Sequence, residues 1–257
     1  PELSLGEIIS GNIINLTLVL AIPIILTGKP IAIESRTINT TLFFALGAIF
    51  LPFVLLLDGT LSRVDGVLLI SFYFSYIFWL FAKKERFKKT FDKTELDKQN
   101  IGKAFLVFLE GLSKTILGIG LIIIAAQGIV WSAQGLALGL NMPIILVGIF
   151  IVGFGNAIPE LYFSIKCSER ENNYMVLGNL LGSVITIATL VLGIVALIYP
   201  ISIAEFNNFT VARAFLLFAC ILFFIFSKTD KKIAKKEAWF LIFVYIVFLI
   251  TETIISF

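Results

Sequence analysis

Most of this 257-residue chain lacks both the alternation of a half-buried strand and the one-sided stripe of a surface helix. Its apolar residues come in near-unbroken blocks of about 20, the length that crosses a bilayer as an α-helix. Polar breaks between the blocks predict spans at about 7–27, 37–57, 67–82, 141–166, 174–199, 211–227 and 238–257. The block at 104–134 is too long for one simple span, and its first part is expected at the membrane interface, where Glu110 and Lys114 stand one helical turn apart and can pair. That makes eight spans. Residues 1–6 read as a loop, 58–66 as a turn with charges of both signs, and 83–103 as a lysine-rich polar linker.

Composition agrees with the pattern. Hydrophobic residues make up 59% of the chain, mean hydropathy is +1.02, and a soluble domain would hold about 45–50% apolar residues. The expected class is an all-α, polytopic transmembrane helical bundle whose partners are the lipid bilayer and inorganic cations, with nothing pointing to nucleic acid. No histidine is present, which removes histidine zinc sites and histidine proton relays. Cys167 and Cys220 form no framework and read as buried or interfacial thiols. With no histidine, no Gly-x-Ser-x-Gly and no carboxylate placed to work with Glu160, the chain is not read as an enzyme. It starts at Pro1 without a signal-peptide pattern, and a further N-terminal part is expected ahead of it.

The stretch 153–194 carries the candidate chemistry. Gly153, Gly155 and Pro159 predict an interruption of the 141–166 helix just before Glu160, because proline supplies no backbone donor. Carbonyls freed beside a carboxylate inside a span suit a cation. Counted back from Lys166 and Arg170, Glu160 lies roughly 10–15 Å below the surface. A charge at such depth costs about 2.5–3.5 kcal/mol on insertion scales, so a role in function is its default reading over that of a helix-end carboxylate. Gly178 and Gly182 suit close helix packing as well as a site. Ser183, Asn12 and Asn15 read either as ligands or as groups hydrogen-bonding between helices. Asp58 and Asp65 read as turn caps.

The chain also repeats itself. Residues 5–22 lie over 177–194 at a constant offset of 172, with Leu5, Gly6, Ile13, Thr17, Leu18, Val19, Leu20 and Ile22 identical in both copies. The predicted organisation is a first repeat of three spans at 1–82, a linker at 83–103 and a second repeat of five spans at 104–257. With the linker in the cytoplasm, Lys29, Arg36, Lys166, Arg170 and the lysines of 228–236 all fall inside, while Arg63 and Arg213 fall outside. Mated spans then run in opposite directions. Inverted repeats with broken helices are the architecture of secondary transporters.

These residues resemble the cation/calcium exchanger superfamily, the sodium/calcium exchangers and their relatives. The family pattern G-T-S-x-P-E followed by G-N-x-x-G-S-N-I is matched by Gly155-Asn156-Ala157-Ile158-Pro159-Glu160 and by Gly178-Asn179-Leu180-Leu181-Gly182-Ser183-Val184-Ile185. The second part recurs as Gly6-Glu7-Ile8-Ile9-Ser10-Gly11-Asn12-Ile13-Ile14-Asn15, and the turn 58–66 resembles that of bacterial and archaeal members. The resemblance covers the family's third to tenth helices, eight of ten. It implies two half-sites facing each other at mid-membrane, with Glu160 the main cation ligand, Ser183 a second, Asn156 where the family has threonine, and Asn12 and Asn15 on the facing side. Oxygen ligands of this kind suit hard cations. Departures are Ala157 for serine, Val184 for asparagine, Ile187 for asparagine or aspartate, and Glu7 for the asparagine that Asn179 retains; Ser10-Gly11 inverts the usual order. Glu7 is expected at the outer mouth.

The function implied is antiport by alternating access in a prokaryotic cell membrane. Calcium or a related cation would exchange for sodium or protons, with these ions and no organic cofactor bound. The competing reading is a degenerate, non-transporting homologue acting in interaction or regulation. The expected orientation has a direct test. With Cys167 and Cys220 replaced, a cysteine introduced at Lys93 should escape a membrane-impermeant thiol reagent in intact cells and react after permeabilisation. Strong labelling of intact cells would reverse the topology.

Overall fold

Two short antiparallel ribbons, one after the first span and one after the second, tie these spans to distant parts of the chain. The computed structural model describes residues 2–33, 36–82, 101–202, 210–229 and 231–256; the proposed linker therefore lies outside the described residues up to position 100. Helix α1 (Glu2–Ile14) passes through a π-helical turn, π1 (Asn15–Val19), into α2 (Leu20–Thr27), and α3 (Arg36–Leu55) and α4 (Arg63–Ala82) follow. Then come α5 (Ile101–Gly139), the short α6 (Ile144–Val147), a second π turn, π2 (Gly148–Val152), and α7 (Gly153–Glu169). The chain continues through α8 (Asn173–Ile185), π3 (Thr186–Val191) and α9 (Leu192–Ile198) to α10 (Thr210–Thr229) and α11 (Lys235–Ser256). Among the described residues, eight helical segments are long and apolar enough to cross a membrane.

Two-residue strands close the ends. Strand β1 (Ile31–Ala32) pairs with β4 (Lys232–Ile233), and β2 (Thr60–Leu61) pairs with β3 (Ile201–Ser202), both antiparallel. Helix α3 separates β1 from β2 by one membrane thickness, so the two ribbons mark opposite ends of the bundle. The span α1–π1–α2 finishes at the β1–β4 end. Its sequence mate α8–π3–α9 finishes at the β2–β3 end, so the mated spans are antiparallel.

The offset of 172 recurs in three-dimensional detail. It carries β2 onto β4, and it carries π1 into π3. Thr17 and its mate Thr189 each donate from Oγ1 to the carbonyl four residues back, Ile13 and Ile185, both at 2.6 Å. At the start of α4, Asp65 Oδ2 accepts from Ser62 N at 2.8 Å and from its hydroxyl at 2.7 Å. At the matching start of α11, Glu237 Oε2 accepts from Ala234 N at 3.1 Å. These are reciprocal or half capping boxes, and Asp58 likewise accepts from Thr60 N at 3.1 Å. Both aspartates are therefore turn caps.

Several sequence expectations are corrected. Residues 2–6 are the first turns of α1, since an unbroken apolar run has no reason to stay extended once it is buried. Residues 101–139 form one continuous helix, on which Lys114 Nζ and Glu110 Oε1 pair at 2.7 Å. The expected interruption before Glu160 does not occur: α7 is α-helical from Gly153 through Pro159 to Glu169. Proline deprives only the carbonyl four residues back of its donor. That residue is Gly155, which borders a cavity and meets nothing within 4 Å of a Cβ position. The irregularity lies one turn upstream, in π2.

Close packing also falls elsewhere than at Gly178 and Gly182, over which nothing lies within 4 Å of a Cβ position. Helices α4 and α9 instead cross at Gly66 and Gly193. A Cβ on Gly66 would stand 2.7 Å from the Gly193 carbonyl oxygen, and one on Gly193 2.8 Å from that of Gly66. Gly153 presses on the Ser10 hydroxyl in the same way, and Gly148 meets the Leu3 carbonyl oxygen at 3.0 Å. Replacing Gly66 by valine should lower the midpoint of thermal unfolding in detergent, by an overpacking cost of about 1–3 kcal/mol or more. Gly118→Ala, in open space on α5, should leave it unchanged or raise it slightly.

Candidate functional site

The central helices bury polar side chains that helix backbones cannot satisfy. Asn12 and Asn15, at 1% and 2% exposure, lie where α1 enters π1, and Ser164 of α7 is fully buried. Asn12 donates from Nδ2 to the Ile8 carbonyl at 3.0 Å, and Asn15 from Nδ2 to Ser183 Oγ at 3.2 Å. The acceptor oxygens remain: Asn12 Oδ1, Asn15 Oδ1, Glu160 Oε2 and Ser164 Oγ are all buried with no hydrogen-bond partner among the described residues. Unmet buried acceptors of this kind call for a water or a cation.

Asn12 borders a small, chiefly apolar pocket with Ile49, Pro52, Ala188 and Arg213, while Asn15 meets Ser183 of the second half. Segment 154–161 of α7 lies against Ile14, Leu18 and Val19, with almost no space between them. Gly153, Ala157, Ser164, Cys167 and Ser168 are the buried residues of α7. Glu160, half-buried, shares the helical spacing of that stripe, one turn from Ser164. Asn15 and Ser183 are in contact. The repeat converts that contact into one between Ile187 and Gly11, and Ile187 Cδ1 does lie 3.9 Å from the Cβ position of Gly11. One copy of this mated contact is polar and the other apolar. Ala157 is buried against the same region and offers no side-chain oxygen. Among the described residues no three acidic or cysteine side chains cluster, so a cation here would rest on few carboxylates and several neutral oxygens.

Asn156 reaches the first half at Glu7. Its Nδ2 donates to Glu7 Oε1 at 3.0 Å. Both border an open cavity of about 830 Å³ lined by the start of α1, the second half of α5, and α6 to α7. Glu7 therefore sits within the first span against α7, and the sequence carried one signal for it: a carboxylate in an apolar run where the repeat mate is Asn179. Glu252, 3% exposed in α11 with Oε2 unpartnered, is a lone buried acid in the last span that the sequence reading did not single out.

At the β1–β4 end the two halves are clasped. Lys29 Nζ pairs with Glu171 Oε1 at 2.7 Å, and the hydroxyls of Thr27 and Ser168 lie 3.3 Å apart. The cavity lies toward the other end. Both cysteines are free and buried.

The chain matches the family described as "Sodium/calcium exchanger protein" over residues 1–82 and 112–254. It is 29% identical over 231 residues to the uncharacterized membrane protein MJ0091 of Methanocaldococcus jannaschii, covering 90% of this chain and 70% of that protein. It is 30% identical over 143 residues to the sodium/calcium exchanger MaX1 of Methanosarcina acetivorans, covering 56% of this chain and 41% of that one. In three dimensions it is similar to the sodium-calcium exchanger NCX_Mj, with a TM-score of 0.63, 27% identity, and coverage of 96% of this chain and 75% of the other.

The Lys29 ammonium beside Glu171 holds its carboxyl below the ordinary carboxylate range. The clasp is thus fully formed above the unfolded-state carboxylate pKa and is lost as pH falls through the lowered folded-state value. Both groups are exposed, so the effect is small and screened by salt. Glu171→Gln should reproduce the effect of low pH on cysteine cross-linking between positions 27 and 168, and acid should add nothing further in that variant.

Proposed function

Because the chain belongs to the sodium/calcium exchanger protein family, a family of membrane transporters and not of enzymes, we propose that it is a secondary antiporter that exchanges calcium or a related cation for sodium or protons by alternating access. The observation that carries this reading is the set of unpartnered buried oxygens, Asn12 Oδ1, Asn15 Oδ1 and Glu160 Oε2, on helices that meet at π1. Glu160 supplies the charge, Asn15 and Ser183 supply neutral oxygens, and Asn12 and Asn156 complete the set. Hard cations take such ligands, and a deep carboxylate is tolerated when it holds a cation or a proton.

The two-repeat organisation at 1–82 and 104–257, joined through 83–103, suits this mechanism. An element related to its mate by an in-plane two-fold can rock about a fixed centre. The lysine-rich β1–β4 end is taken as the cytoplasmic side of a prokaryotic cell membrane.

A second reading, a homologue that has lost transport, draws on the apolar Ile187–Gly11 contact and on Ala157. Isotopic calcium uptake into vesicles loaded with sodium, or held at an imposed pH gradient, separates the two. Glu160→Gln keeps shape and removes charge, so it should abolish uptake while insertion and unfolding midpoint stay near the parent's. Asn15→Ala should slow uptake less, because an amide contributes a dipole and not a full charge. Parent-like uptake by Glu160→Gln would overturn the assignment of the site. No uptake by the parent under either gradient would favour the homologue that does not transport.

A further inference from the structure

Past Glu160, the seam between α2 and α7 leads on toward the β1–β4 end, and its polar groups are not all matched. We propose that the Ser164 hydroxyl and the backbone carbonyl of Val19, set free by Pro23, form with Glu160 a sodium station in that seam, the binding place of the monovalent coupling ion. The proposal rests on the exchanger reading and adds to it a ligand pair for one of its two ions.

The seam is fixed on both sides of this point. Toward π1, Ala157 and Leu161 of α7 lie against Leu18 and Val19. Toward β1–β4, the hydroxyls of Ser168 and Thr27 lie 3.3 Å apart, and Lys29 pairs with Glu171 beyond them. The two helices therefore run side by side in the same direction, and their contacts advance in step. Val19, Pro23 and Thr27 follow one another at four-residue spacing on α2, as Glu160, Ser164 and Ser168 do on α7, which puts each set on one helix face. Ser164, one turn before Ser168, is thus level with Pro23, one turn before Thr27. Both residues are buried.

Three oxygens converge there without donors. Ser164 is 0% exposed, and its hydroxyl has no partner among the described residues. Other buried hydroxyls in the bundle, those of Thr17, Thr41, Thr189 and Ser227, each donate to the carbonyl four residues back. Pro23 lies inside α2 and has no N–H, so the Val19 carbonyl loses its helical donor. Helix carbonyls point toward the C-terminal end, which directs the Val19 oxygen to the level of Pro23 and Ser164. Thr27 does not fill the gap, because its hydroxyl is given to the Pro23 carbonyl at 2.7 Å. Glu160 Oε2, buried and unpartnered, stands one turn before Ser164, at the spacing of about 5–6 Å between Cβ atoms that lets one ion touch both side chains. Freed helix carbonyls are sodium ligands in transporters, and a single carboxylate among neutral oxygens balances a monovalent charge. Glu160 also belongs to the proposed calcium set, so the two ions compete for it. The repeat mate of Pro23 is Val195, and the freed carbonyl is thus a feature of the first half alone.

The test is equilibrium binding of radioactive sodium to the full chain in lipid nanodiscs, with calcium binding and vesicle uptake measured alongside. Ser164→Ala removes the hydroxyl, and Pro23→Ala gives the Val19 carbonyl its donor back. Each should raise the half-saturating sodium concentration by about tenfold, the worth of one hydrogen-bonding ligand, and should move that of calcium less. Ser164→Thr keeps the hydroxyl and should bind sodium more tightly than Ser164→Ala. Pro23→Ala replaces a residue that is unfavourable within a helix by the most favourable one, so a loss of affinity there is not a loss of fold. The proposal is overturned if the parent binds no sodium, or if either alanine variant binds it as the parent does, the result expected when the gap holds only a water. Loss of sodium in Glu160→Gln together with parent-like binding in Ser164→Ala keeps Glu160 as a ligand and removes the station. Failure of the exchanger reading looks different: no uptake by the parent under either gradient. In that case sodium binding still decides whether Ser164 and Val19 hold an ion.

Discussion

An oxygen buried in a membrane protein must be matched by a donor, a water or a cation, and the centre of this bundle is built around that constraint. The backbones of α1 and α7 spend their own donors on helical hydrogen bonds, and Asn12 and Asn15 spend theirs on the Ile8 carbonyl and on Ser183. Unmatched acceptors are left on both sides of the contact between the halves. A purely apolar interface would be more stable here.

The helices that carry those acceptors approach closely, and glycine permits the approach. Gly148 and Gly153 let α1 lie against π2 and α7, while Gly66 and Gly193 do the same for α4 and α9. The π turns widen each central helix by one residue at the level of the site. The mated threonines, Thr17 and Thr189, give a side-chain donor to a carbonyl of the preceding turn. The same device appears in both halves at positions 172 apart, as expected when two copies of one supersecondary unit meet in opposite directions.

The symmetry is broken at the contact between the halves. Asn15 with Ser183 is the polar version of a contact whose mate, Ile187 with Gly11, is apolar. Glu7 is a carboxylate where Asn179 is an amide.

The eight apolar spans and the caps were legible in the residues, because hydrophobic block length and local capping chemistry act over short stretches of chain. Asp65 and its mate Glu237 cap their helices for reasons contained within four residues. Glu160, Ser183, Asn15, Asn12 and Asn156 could be singled out as polar groups in an apolar setting. Which of them touch was decided by tertiary structure. Asn15 meets Ser183, 168 residues away, and Asn156 meets Glu7, 149 residues away, through packing angles that no local pattern encodes. The helix at Pro159 makes the same point. Local propensity argues for a break, and the fold overrides it, because the one carbonyl left without a donor belongs to a glycine at a cavity wall and the neighbouring helices hold the rest of α7 in register.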